Sequence, residues 1–211
     1  MMMRPRIAHV AAAGALALAA AAAVGPVAHA DQFVGGRMVK GQIEVTYFAL
    51  GGPTPQKLWG RTLTDELPDR AGGRFQKFEN QSSIYWNPFV DGGNAHQVGG
   101  AIETKWGTVG WETGPLRYPV SDERRVTQGG DPVLGWGKEV AGAWNDFQGG
   151  KILWSPQGGA RIVWGEILRT FDTAGGITKY GWPVGDETRS PDGRFTQAFQ
   201  KGTITWPARE Q

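Results

Sequence analysis

The sequence predicts an α+β fold built from three repeats, each a short helix followed by a β-hairpin. Three observations carry that expectation. Acidic pairs recur at Asp65-Glu66, Asp122-Glu123 and Asp186-Glu187, 57 and 64 residues apart. Ile-x-Trp tripeptides follow each pair in the same order, at Ile84-Tyr85-Trp86, Ile152-Leu153-Trp154 and Ile204-Thr205-Trp206. Ahead of each pair, apolar residues recur four apart, as the stripe of an amphipathic helix requires. A helix and a hairpin alone cannot bury both of their apolar faces, so the units must pack on one another. Closure with approximate threefold symmetry, the hairpins radiating like propeller blades, is expected rather than an open line, in which three units would have few neighbours.

The elements follow in order. Residues 1–30 read as a secretory signal peptide: Arg4 and Arg6, an Ala-rich apolar run, then Ala28-His29-Ala30 before Asp31. The remaining chain, 31–211, is expected to be a single domain with repeats at about 37–90, 95–157 and 160–207. The helix stripes are Val39, Ile43 and Tyr47; Val98, Ile102 and Trp106; and Val163, Ile167 and Phe171. After each helix come a Gly-rich loop and an apolar residue seven before the Glu, at Trp59, Leu116 or Tyr180. Pro119 and Pro183 then fix the chain before the acidic turn. The hairpins pair Gly73–Phe78 with Ser83–Trp86 and Gly193–Phe199 with Thr203–Trp206. The second copy has a less distinct first strand, and about eleven extra residues around Gly129–Ala141.

Composition narrows the chemistry. The chain has 22 basic and 20 acidic residues, and the excess of two is Arg4 and Arg6. Without the leader the protein is formally neutral, and no Lys/Arg run beyond Arg124-Arg125 offers a face for nucleic acid. There is no cysteine for disulfides, thiolate metal sites or nucleophiles. Two of the three histidines, His9 and His29, lie in the leader, and His96 remains alone. Neither a nucleophile elbow nor a phosphate-binding loop occurs, and Asp91-Gly92 and Asp192-Gly193 lack the alternating acids of a calcium loop. No cofactor, metal or catalytic residue is expected, and no transmembrane anchor remains once the leader is cleaved.

These landmarks resemble the LGFP repeat family over residues 37–206. The third copy fits best, with Tyr180-Gly181-Trp182-Pro183 before Asp186-Glu187. The second has Leu116-Arg117-Tyr118-Pro119 without the Gly, and the first has Trp59-Gly60-Arg61-Thr62 without the Pro. The resemblance implies a secreted, cell-wall-associated actinobacterial envelope protein. Such repeats accompany wall enzymes, mycolyltransferases and amidases among them, and are thought to hold them at the wall. Here the repeats fill the mature chain, which implies a stand-alone binding or structural module.

The candidate residues divide by recurrence. Glu66, Glu123 and Glu187, with Trp86, Trp154 and Trp206, occur once per copy and are read as structural: acceptors in the acidic turn and apolar fillers. Trp111, Trp136 and Trp144 are not required by the repeat, and are expected to form a glycan-contacting surface by stacking on sugar rings. The partner expected is cell-wall polysaccharide or peptidoglycan, with other envelope proteins as a further possibility. A wall-directed hydrolase using carboxylates, and a protein scaffold, are the alternatives.

Overall fold

The structure, a computed structural model, describes residues 31–53, 60–128 and 139–207. It opens on a hairpin of β1 (Gln32–Val34) and β2 (Arg37–Val39), which runs into α1 (Gly41–Ala49). An antiparallel meander follows: β3 (Leu67–Pro68), β4 (Arg74–Phe78), β5 (Ser82–Trp86) and β6 (Ala95–Gly99). After α2 (Gly100–Gly107) comes a second meander, β7 (Arg124–Gln128), β8 (Glu139–Phe147), β9 (Gly150–Ser155) and β10 (Gly159–Trp164). Then α3 (Gly165–Thr173) and α4 (Gly176–Tyr180) lead to β11 (Thr188–Arg189), β12 (Phe195–Phe199) and β13 (Gly202–Trp206).

This corrects the expected α+β, closed, propeller-like array of helix-plus-hairpin units. The protein is mostly β, four antiparallel sheets with a few short helices, and it is not closed. One cause lies in the helix stripes. Val39, Val98 and Val163 are fully buried, but they belong to β2, β6 and β10. Gly41, Gly100 and Gly165 follow at φ +52, +54 and +53, a left-handed step that turns the chain from strand to helix. The strand before α2 pairs with β5, and the strand before α3 pairs with β9, so the first two copies form four-stranded sheets, while the last hairpin belongs to a three-stranded one. Among the described residues no strand of the last sheet pairs with the first.

The absence of closure also has an energetic reason, because the apolar faces of α1, α2 and α3 are already covered. α1 buries Ile43 and Tyr47 against Phe78, Ile84 and Ala95. α2 buries Ile102 and Trp106 between two sheets, against Tyr85 on one side and Phe147 and Ile152 on the other. α3 buries Ile167 and Phe171 between Leu153 and the pair Phe199 and Ile204. Helix and sheet therefore alternate in an open stack. Adjacent residues of a strand face opposite layers, so Ile84 enters the first core and Tyr85 the second, while Ile152 enters the second and Leu153 the third. A strand covered on both faces needs consecutive apolar residues. In β13 the residue after Ile204 is Thr205, which pairs with Thr196 across the strands, their hydroxyls 3.2 Å apart.

A buried amide ties each sheet to the strand before its helix. Gln76 Nε2 donates to the Met38 and Thr64 carbonyls at 3.0 and 2.9 Å, and Asn145 Nδ2 to those of Gln97 and Ser121 at 2.8 and 2.9 Å. Gln197 Nε2 donates to Ile162 and Gly185 at 2.8 and 3.0 Å. In each case the second acceptor is the residue just before the acidic pair. One amide thus satisfies a carbonyl on each of two segments, the strand before the helix and the acidic turn.

Candidate ligand clefts

The acidic turn splits its two carboxylates between different tasks. The first acid faces back to the strand before the helix. Arg37 reaches Asp65 at 3.2 Å and Arg161 reaches Asp186 at 3.2 Å, while Asp122 accepts the Gln97 backbone N–H at 2.9 Å and lies 3.7 Å from His96 Nδ1. In the second and third copies the second acid, Glu123 or Glu187, turns toward the start of the helix and the Ile-x-Trp strand. Register explains the meeting: Trp86 is opposite Arg74, Trp154 opposite Ala143 and Trp206 opposite Phe195, and directly opposed residues share one face of a sheet.

In the second layer this arrangement opens as a cleft of about 230 Å³, walled by the start of α2 at Gly99–Ile102, by Glu123 and Arg125, by Ala143 and by Trp154. The third layer repeats it at about 430 Å³, with the start of α3 at Gly165–Ile167, Glu187, Phe195 and Trp206. Gly100 and Gly165 border open space, with no atom within 4 Å of where a Cβ would stand. In the first layer the residue in register with the Trp is Arg74, whose guanidinium is bound to Glu66.

Electrostatics distinguish the two clefts. Burial pushes the Glu123 carboxyl above its ordinary value, against the pull of Arg125, which donates to it at 2.5 Å. The third-layer cleft carries Glu187 together with Glu166, which accepts from Arg169 Nε at 2.6 Å. Trp154 is half-buried at the margin of the central core, and Trp206 is 40% exposed. The arrangement can offer an aromatic face and a carboxylate acceptor beside a helix start to one ligand. Among the described residues no group of acids or histidines is placed to hold a metal ion, and no helix is long and apolar enough to cross a membrane.

The residues singled out by sequence fall in several places. Trp111 packs edge-on against Trp106, ring centroids 5.4 Å apart, at the central core. Trp144 packs against Trp182 at 6.4 Å in the third core, on the strand position that Phe75 fills in the first sheet. These two are not brought together. Trp136, Trp59 and the expected leader, residues 1–30, lie outside the described residues. His96 is turned away from both clefts, its Nε2 2.7 Å from Asp91 Oδ2. The clefts themselves were not anticipated. The available signal was the pairing of a once-per-copy Glu with a once-per-copy Trp, which recurrence alone reads as structural.

The family model described as LGFP repeat matches residues 60–114 and 116–178. Each match runs from a tight turn through a meander and the following helix, so the family's unit starts later in the chain than the helix-first division expected from sequence. No curated protein matches the chain.

Proposed function

Because the chain belongs to the LGFP repeat family, we propose that it is a secreted, non-catalytic module that associates with the cell envelope by binding wall glycan in the α2 and α3 clefts. The single observation that carries this reading is recurrence: two open clefts, in successive layers, with the same Trp, Glu and helix start on their walls. A pyranose presents an apolar C–H face and a rim of hydroxyls. The Trp ring covers the first, and the carboxylate accepts from the second. The leader-like residues 1–30 support export. We also read residues 180–206 as a third, shorter repeat, which the amide bonds of Gln197 support.

Hydrolysis is the second reading, because the α3 cleft holds both Glu166 and Glu187. Yet the feature shared by the two clefts is one carboxylate with one Trp, whereas glycosidase chemistry needs two carboxyl groups flanking the scissile bond. Co-sedimentation of residues 31–211 with insoluble wall material, with an assay for released reducing ends, separates the readings. Saturable pelleting without release is expected, with several-fold lower retention for Trp206→Ala with Glu187→Gln. Release of reducing ends would replace binding with hydrolysis, and unchanged retention of the double variant would remove the α3 cleft from the account.

A further inference from the structure

A third cavity, of about 690 Å³, lies at the seam between the first sheet and the turn that begins the second repeat. Its walls include Asn87, Phe89, Glu112, Arg117 and Tyr118. It shares no residue with the α2 and α3 clefts apart from Pro115, which also borders the latter. Phe89 is 93% exposed, so nothing in the fold is gained from its ring.

Arg117 is the informative residue. It sits at φ +56, in the left-handed region, where the same turn in the other two copies has Gly60 at φ +63 and Gly181 at φ +72. The three positions match by their bonds. The residue after each donates its N–H to a side chain at the hairpin turn, namely Glu79, Gln148 or Gln200. The carbonyl of Gly60 accepts from Tyr47 Oη at 2.7 Å, and that of Arg117 from Trp106 Nε1 at 3.1 Å. The fold therefore requires this backbone shape, which glycine adopts without strain and arginine only with it. No fold requirement explains the side chain, since Arg117 is exposed and its guanidinium makes no hydrogen bond or ion pair among the described residues.

The neighbouring acids are already engaged. Glu112 accepts from Arg70, and Asp69 accepts from Tyr118 Oη at 2.7 Å and from the Gly73 N–H at 2.8 Å. Arg117 is thus the uncompensated charge of the cavity. One free cation beside two carboxylates suits a singly charged anion better than a phosphate dianion, and a guanidinium matches a carboxylate through two parallel bonds.

We propose that this seam cavity binds a carboxylate-bearing ligand, its carboxylate on Arg117 and its carbon body against Phe89. A uronic acid residue and a peptide C-terminus share that chemistry. Calorimetric titration of the protein with tri-galacturonate and with acetyl-Ala-Ala, alongside neutral galactotriose and the peptide carboxamide, distinguishes them. Saturable binding of at least one acid, at least tenfold weaker for its neutral counterpart, is expected, and the acid that binds names the source. Arg117→Gly should lower that affinity at least tenfold while the melting temperature stays level or rises, because the variant restores the glycine of the sibling turns. Phe89→Ala should weaken binding several-fold with no change in melting. Failure of both acids to bind, equal binding of the neutral probes, undiminished affinity of Arg117→Gly, or a melting temperature lowered by several degrees in that variant would overturn the proposal. Trp206→Ala leaves this site intact, so its failure is separable from failure of the glycan clefts.

Discussion

His96 occupies the position at which the other two seams carry Arg37 and Arg161, and it makes one seam responsive to pH. Burial pulls its imidazolium down, but the carboxylate of Asp122, 3.7 Å from Nδ1, and the hydrogen bond to Asp91 together outweigh that effect and hold it above the ordinary value of 6.5. Its own hydrogen bond is the main reason Asp91 lies below the ordinary 3.8, against a smaller opposing effect of burial. A folded-state pKa raised for a base stabilises fully below the unfolded value, and the contribution is lost as pH rises through the folded value. For Asp91 the contribution is present above the unfolded value and is lost as pH falls through the folded one. The pair therefore stabilises most between about pH 4 and 6.5, the span set by those two ordinary values. Melting temperature measured from pH 5 to 9 should fall more for the wild type than for His96→Gln. Parallel curves would show that the seam bears no titrating load. His96, the one histidine among the described residues, was legible in sequence only as an isolated residue, because its partner Asp122 is 26 positions away and the equivalence with two arginines is a matter of strand register.

At the scale of elements, the middle residue of each Ile-x-Trp strand reports what lies on the far side of its sheet. Tyr85 and Leu153 face a further layer and are buried, whereas Thr205 pairs with Thr196 on the last sheet. Leu153→Thr places a hydroxyl in the third core and removes methyl groups from it, which should cost about 2–4 kcal/mol. Urea denaturation would measure it, and a loss below about 0.5 kcal/mol, the scatter expected of a surface change, would contradict the two-faced burial of β9. Much of this level could be read directly. The hairpins were expected within a residue or two of β4–β5 and β12–β13, because alternation around a polar turn is a local signal. The strands before the helices were read as helix. Val39, Val98 and Val163 continue the four-residue stripe in sequence, and only the left-handed glycine between strand and helix breaks it in space. The same confusion of period concealed β6 and β10, and with them the four-stranded sheets.

For the whole molecule, an open stack of alternating layers makes the protein a series of similar clefts rather than a single enclosed site. Closure was expected because isolated units leave faces exposed. The stack satisfies the same requirement by putting a sheet on each side of α2 and α3 and the β1–β2 hairpin beside α1. Recurrence in the sequence located Glu123, Glu187, Trp154 and Trp206, but their convergence depends on which residues stand opposite across the strands, and that is set by register. Two of the tryptophans that recurrence leaves over, Trp111 and Trp144, lie in different layers. Trp144 takes the place of Phe75 in the next layer, and Trp111 packs, half-buried, beside Trp106. The proposal of two glycan-binding clefts in one chain is tested most directly by counting. Calorimetric titration with short soluble oligosaccharides cut from wall polysaccharide should give two sites per chain for the wild type and one for Trp206→Ala; a single site whose affinity is the same with Trp206 or Glu123 replaced would contradict it.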